Sequence, residues 1–376
     1  MFAHLKETLF LNKITSLHKG ALSEYRIVLL GKTGVGKSSF GNSILGKRAF
    51  DTNFSSASTT NSCKSESDSR CGMNISIIDT PGFFDTRNDE NLKSEIVKCI
   101  TECSPGPHAF LIVLRVDRYT VQEEEVVQKI LTTFGKDALR YAVVVFTHGD
   151  DLGEGQTIDE FVQENEKLKE LVRDCGGRCH VLDNKYWKHP QDDYRNNSVQ
   201  IEKLLNTIKT MVSENKGCYT NEMLQKVEED IKTEERKIVA SGTSLRKDKI
   251  REWAKKIVCN KLLIKAAGIT TGALLGALFG LIASVTLVVL LIWKVLPHIN
   301  GALVGSVPVA GVAAGGIVGV ATLAGAVEGA VVGYKAAKNA KTVCEAAKYA
   351  KDSNIDNAKV MFNEVYKLKP EHLKKA

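Results

Sequence analysis

At 376 residues the chain exceeds what one hydrophobic core ordinarily supports, roughly 250 to 300 residues, so two or three parts are expected. The net charge of +7 is modest, and the lysine-rich stretches collect late in the chain rather than over a nucleic-acid-sized face; this sets nucleic acid aside and favours a membrane surface as partner. Nine cysteines without a CxxC pair exclude a disulfide framework and a zinc site, and a reducing compartment is the expectation.

Met1–Glu7 carries charge where a secretory signal needs an apolar core, and Phe2 does not fit myristoylation, so no secretory entry is expected by that end. The apolar run Tyr25–Leu30 reads as a strand, and Ser39–Leu45 as the start of a helix. Between them stands Gly31-x-x-x-x-Gly36-Lys37-Ser38, the strand–loop–helix context in which a glycine-rich loop binds phosphates. Glycines let backbone amides close on the phosphate chain, Lys37 reaches the outer phosphates and the Ser38 hydroxyl ligates Mg²⁺. The expected contacts are Gly31, Thr33, Gly34, Val35, Gly36, Lys37, Ser38 and Ser39.

Ser55–Ser62 is polar and without hydrophobic period, hence a loop, and a switch threonine belongs there. Met73–Ile78 is a second strand ending in Asp79-Thr-Pro-Gly82, where Asp79 would hold a Mg²⁺ water and the Gly82 amide would sense the terminal phosphate. A third buried strand, Tyr141–Phe146, runs into Thr147-His-Gly-Asp150. Guanine-reading folds place Asn-Lys-x-Asp at this strand end, so Asp150 is the expected base reader, with Thr147 and His148 replacing the Asn and Lys. The alternative is that Asp150 and Asp151 only cap a helix beginning near Thr157.

Thr220–Ile231 has the three- and four-residue apolar spacing of an amphipathic helix, Ser241–Ser244 breaks it, and Leu245–Lys265 resumes with many basic residues suited to anionic lipid. Two uncharged runs follow, Ala266–Trp293 and Ile299–Val327, each longer than the roughly 20 residues that span a bilayer. Gly272, Gly276 and Gly280, and again Gly301 and Gly305, keep the four-residue spacing that lets helices approach. Lys335, Lys338, Lys341 and Lys348 put the far flank in the cytosol, so the expectation is a two-helix membrane hairpin with Trp293 at the interface. The alternative is a Gly/Ala-rich hairpin buried in protein.

Together these residues carry a resemblance. Cys103–Leu114 with Arg118–Glu124, then Phe146–Leu152 and Arg178–Asn184, are similar to the family-specific, fourth and fifth boxes of the GTPases of the immunity-associated protein family (GIMAP), relatives of septins and chloroplast receptor GTPases. The likeness covers Ser23–Ser213. It implies an α/β, P-loop small-GTPase-type G domain with GTP/GDP and Mg²⁺ as ligands, Thr60 as switch threonine and second metal ligand, with Thr59 as competitor, and His148 against the guanine ring. Asn184 would approach the base from the fifth box, with Asp183 as alternative. Phe83 stands where small GTPases carry the water-orienting Gln, so a monomer is expected to hydrolyse slowly. Relatives dimerise across their nucleotides, which makes self the expected partner and Arg118 the candidate catalytic finger, with Arg115 next. A nucleotide-bound membrane scaffold with little turnover is the competing reading.

The expected organisation is an N-terminal segment 1–22, a G domain 23–215, a helical connector 216–265, a membrane hairpin 266–334 and a basic cytosolic tail 335–376. The expected location is an intracellular membrane, with the G domain and both termini facing the cytosol.

Overall fold

The computed structural model describes residues 24–52, 62–83, 90–117, 121–187, 193–266 and 269–295. Its elements, in chain order, are β1 (Glu24–Leu30), α1 (Lys37–Leu45), β2 (Lys64–Arg70), β3 (Met73–Asp79), α2 (Glu90–Cys103), β4 (Ala109–Arg115), α3 (Val121–Thr133), α4 (Lys136–Leu139) and β5 (Ala142–Thr147). There follow α5 (Ile158–Gln163), α6 (Glu166–Asp174), β6 (Cys179–Val181), α7 (Asn197–Glu214), α8 (Glu222–Ala240), α9 (Lys247–Lys265), α10 (Thr271–Leu278) and α11 (Ile282–Val289). The chain divides into two compact units: Met1–Thr86, Gly106–Leu131 and Asp137–Tyr219 form the first, and Arg87–Pro105, Thr132–Lys136 and Thr220–Ala376 the second.

The first unit is built on a six-stranded sheet in the order β2-β3-β1-β4-β5-β6. All neighbours are parallel except β2 and β3. β1, β4 and β5 are near-continuous Val/Ile/Leu/Phe runs because a parallel sheet is covered on both faces. Ile27, Leu29, Ile75, Leu111 and Val143 pack with Phe40 and Ile44 of α1 and with Leu204 and Ile208 of α7 in one buried cluster. The order reverses at β1, and ligands of such sheets bind at the carboxyl ends of the strands beside that point. The loops after β1, β3, β5 and β6 all leave from those ends.

β2 has no apolar residue, and sequence periodicity did not mark it as a strand. It exists because it completes β3, pairing Lys64 with Asp79 through Arg70 with Met73 across a turn at Cys71 and Gly72, both with positive φ. Its charges suit an edge that must not recruit another strand.

The second unit is helical. Glu228 of α8 accepts from Ser104 Oγ at 2.9 Å and from Arg251 of α9 at 2.7 Å, and Arg251 also pairs with Glu235 at 3.0 Å. Lys255 of α9 meets Glu102 of α2 at 3.0 Å. Burial opposes ionisation of Glu228, but Arg251 and Ser104 outweigh it and keep its carboxyl below the ordinary value.

The first uncharged run corrects the expectation of a membrane-spanning leg. Ala266–Trp293 contains α10 and α11, of eight residues each, separated at Phe279–Leu281. Gly280 takes φ 80 there, and Leu281 N donates to Gly276 O at 2.7 Å, the left-handed closure that ends a helix. Part of the run packs on protein: Leu274, Ala277, Leu278 and Phe279 are buried, and Phe279 stacks on Phe134 at 4.2 Å, while Leu281, Ile282 and Leu290 are exposed. Trp293 donates to Asp230 at 3.1 Å. Among the described residues no helix is long and apolar enough to cross a membrane. The second run and the tail lie outside the described residues.

Candidate functional site

β1 delivers the chain into a loop of unusual backbone: Gly31, Gly34 and Gly36 have φ of 148, 86 and 91. A Cβ on Gly31 would stand 2.3 Å from Val113 O, so glycine is required there by space as well as by φ. Gly36 caps α1 without a side-chain cap bond, at the helix end whose dipole favours an anion. Lys37 is folded into the loop, its Nζ donating to Gly31 O at 3.0 Å and Lys32 O at 2.9 Å with 5% of the residue exposed. Its ammonium is thereby held where a phosphate chain wrapped by the loop would meet it.

Beneath that turn Ser38 Oγ donates to Asp79 Oδ2 at 2.6 Å. Asp79 is 1% exposed and its Oδ1 is buried without a hydrogen-bond partner. Burial raises its pKa, against the lowering effects of Ser38 and Lys37. A hydroxyl facing a desolvated carboxylate with a spare oxygen is the donor set of a hard divalent cation, and Mg²⁺ fits it. Gly82 follows three residues on, and Phe83 turns into the core at 3% exposure. Thr59, Thr60 and Arg118 lie outside the described residues.

At the end of β5, Thr147 is fully buried and its Oγ1 donates to Val35 O at 2.6 Å, so it braces the phosphate loop. His148 sits at φ 59 with its ring Nδ1 3.0 Å from Thr147 Oγ1. Burial first, then Arg115, lowers the pKa of His148, which leaves a neutral ring beside the loop. Asp150 lies in a short 3₁₀ turn, Gly149–Asp151, with its side chain exposed. It does not cap α5: that cap is Thr157, in a reciprocal box with Glu160.

β6 brings the fifth box alongside. Asn184 Oδ1 accepts from Ser43 Oγ at 3.2 Å, and its Nδ2 would lie 3.2 Å from a Cβ on Gly36, so Asn184 reaches the phosphate-loop helix. Asp183, left as its competitor by sequence, is 2% exposed and occupied by backbone: Oδ1 accepts from Lys185 N at 2.7 Å and Tyr186 N at 2.6 Å, and Oδ2 from Asp150 N at 3.3 Å. Trp187 and Asn197, which no motif marked, complete this corner; the Trp187 ring lies 2.5 Å from where a Cβ on Gly149 would be. Arg115 pairs with Asp151 at 3.3 Å and borders a cavity of about 230 Å³ against Lys32–Val35.

A glycine loop with an inward lysine, a serine–aspartate pair beneath it and the adjoining loops after β5 and β6 define a phosphate-loop nucleotide-binding domain of the α/β class. A family model described as AIG1 matches residues 25–238, and the chain belongs to the AIG1 family. It is 35% identical over 199 residues to human GTPase IMAP family member 8, covering 53% of this chain and 29% of that protein. It is also 35% identical over 210 residues to Arabidopsis thaliana immune-associated nucleotide-binding protein 9, covering 54% of this chain and 60% of that one. The chain thus spans less than two thirds of these relatives. Among solved structures it is similar to Toc33 from Arabidopsis thaliana in complex with GDP and Mg²⁺, at TM-score 0.43 and 22% identity, covering 56% of this chain and 93% of that one. The GIMAP resemblance read from the boxes is borne out by the family match and these relatives.

Proposed function

We propose that this chain binds GTP and GDP with Mg²⁺, hydrolyses GTP slowly as a monomer and faster when two copies meet through their GTP-bound faces. The observation that supports it best is the Ser38–Asp79 contact, with its unpartnered buried oxygen, at the amino end of α1. Bound there, Mg²⁺ would neutralise charge on the outer phosphates. Lys37 and the first-turn amides of α1 orient the phosphate chain, while His148 covers the base and Asp150 accepts from guanine N1 and N2. Phe83 cannot orient a water, and its burial gives the isolated monomer no substitute at that position. Arg118 is proposed to act across the self-contact, where an arginine finger contributes about 10³ to 10⁵ in rate.

Attachment to an intracellular membrane, with the nucleotide domain in the cytosol, is proposed to rest on the run Ile299–Val327 and the lysines after it, which suit anionic lipid. Full-length protein should bind GTP far better than ATP, and Asp150→Asn should weaken GTP while admitting XTP. Phosphate release per molecule should rise with protein concentration, and more steeply on anionic liposomes, and Arg118→Ala should flatten both curves without changing GTP affinity. A rate independent of concentration and density would leave the scaffold reading in place of dimer catalysis.

A further inference from the structure

We infer that Asp183 is a positioning residue for guanine selectivity: it touches no nucleotide but locks the Asp150 loop to the Asn184 loop. The inference rests on the proposed reading of Asp150 as the base reader.

β5 and β6 are adjacent parallel strands, with Val144 opposite Cys179 and Phe146 opposite Val181, so the fourth- and fifth-box loops leave the sheet side by side. The fourth-box loop has only the 3₁₀ turn Gly149–Asp151, and hydrogen bonds between the loops set their relative height. Gly149 N donates to Leu182 O at 3.1 Å, and Asp150 N to Asp183 Oδ2 at 3.3 Å. The other oxygen of Asp183 takes both Lys185 N and Tyr186 N. Asn197 grips the same residue from α7: its Oδ1 accepts from Asp183 N at 3.1 Å and its Nδ2 donates to Asp183 O. The main chain of Trp187 closes the ring by accepting from Asn197 N at 3.2 Å.

Asp183 is therefore fully engaged. Three backbone amides share its two oxygens, the side chain is sealed from solvent, and nothing is left to aim at a base. Asp150 has the opposite arrangement: its side chain is exposed and its amide is tied down. The tie orients the reader without sharing its acceptors. Only a group that accepts at both ends can do this, because each end faces N–H donors.

An amide separates the two ends. In Asp183→Asn the oxygen would keep the two shorter bonds to Lys185 and Tyr186, and the NH₂ would face the Asp150 N–H, donor against donor. The fifth-box loop should stay folded while Asp150 is released. On the full chain, displacement of a fluorescent GDP analogue should show GDP affinity falling about tenfold, with the weaker ADP affinity unchanged. In an Asp150→Ala background the same substitution should produce no further loss, since the lock then has no reader to position.

Losses that add in the double variant, or ADP affinity falling in step with GDP, would overturn the inference and leave Asp183 as a general structural residue. Unmutated protein that binds ADP as well as GDP would instead remove the guanine reading, and the inference with it. Should Asp183→Asn fail to fold, Asn197→Ser serves: it frees the Asp183 main chain but keeps the carboxylate, and must give a smaller loss confined to GDP.

Discussion

Thr147 Oγ1 donates to Val35 O at 2.6 Å, with Leu114 O as a second, longer acceptor at 3.2 Å, and ties the end of β5 to the phosphate loop across 112 residues of chain. The threonine stands first in the fourth box, yet its hydroxyl bonds the glycine loop. Thr147→Val keeps the shape and removes the donor, leaving Val35 O unsatisfied. GDP and GTP affinity should both drop roughly fivefold, the effect of about 1 kcal/mol, with the preference for guanine over adenine unaltered. Competition binding with both bases checks it; a change in base preference would assign Thr147 to the base instead.

Asp79 carries a conflict between stability and binding. Burial raises its pKa, so without a cation the folded state loses stability as pH rises from the carboxylate's ordinary 3.8 through the elevated folded value, and the loss persists at neutral pH. Asp79→Asn removes that charge. The nucleotide-free variant should melt about 2–4 °C higher at pH 7, the shift for roughly 1 kcal/mol in a domain of this size, and should lose the Mg²⁺ dependence of nucleotide binding. Differential scanning with and without Mg²⁺·GDP measures both.

His108 sets an acid limit. Its Nδ1 accepts from Arg26 N at 3.0 Å, and burial, then the nearby Arg26 charge, pulls its pKa from 6.5 to about 4. His180, bonded to Thr207, is likewise lowered to about 4 by burial and Lys203. A depressed folded pKa gives stability that is complete above the unfolded value of 6.5 and is lost as pH falls toward 4. His108→Asn retains an acceptor for Arg26 N without the titration. Stability read from urea unfolding between pH 7 and 4 should fall less steeply in the variant, by roughly 3 kcal/mol at most over the interval.

Arg251 is the cation that makes the buried Glu228 tolerable in the helical unit. Among the described residues, Arg251→Met leaves that carboxylate facing Ser104 and the more distant Lys232 at 3.7 Å. A loss of about 3 kcal/mol is expected, and Glu228→Gln in the same chain should restore part of it. Because Glu228 has its pKa lowered, the unmutated clamp should weaken as pH drops below the usual Glu range. Amide exchange in α8 and α9 reports the loss directly, and it should increase in Arg251→Met at neutral pH.

Much of the nucleotide site could be read before folding because its chemistry is local. Gly31, Gly36, Lys37 and Ser38 lie within eight residues whose spacing alone dictates a left-handed loop entering a helix, and β1, β3 and β5 announce themselves as buried apolar runs. What stayed open depended on neighbours distant in sequence. Asp183 and Asn184 are adjacent polar residues with similar hydrogen-bonding capacity, and only the amides of Lys185, Tyr186 and Asp150 and the hydroxyl of Ser43 separate their roles. β2 has no hydrophobic signal because an edge strand is specified by the unpaired amides and carbonyls of β3, which any sequence can satisfy. The run Ala266–Trp293 has the length and composition of a bilayer span, since lipid and protein interiors both reward removing apolar surface from water. Only the fold shows Gly280 breaking this run into two short helices, with Phe134 stacked on Phe279 beside the break.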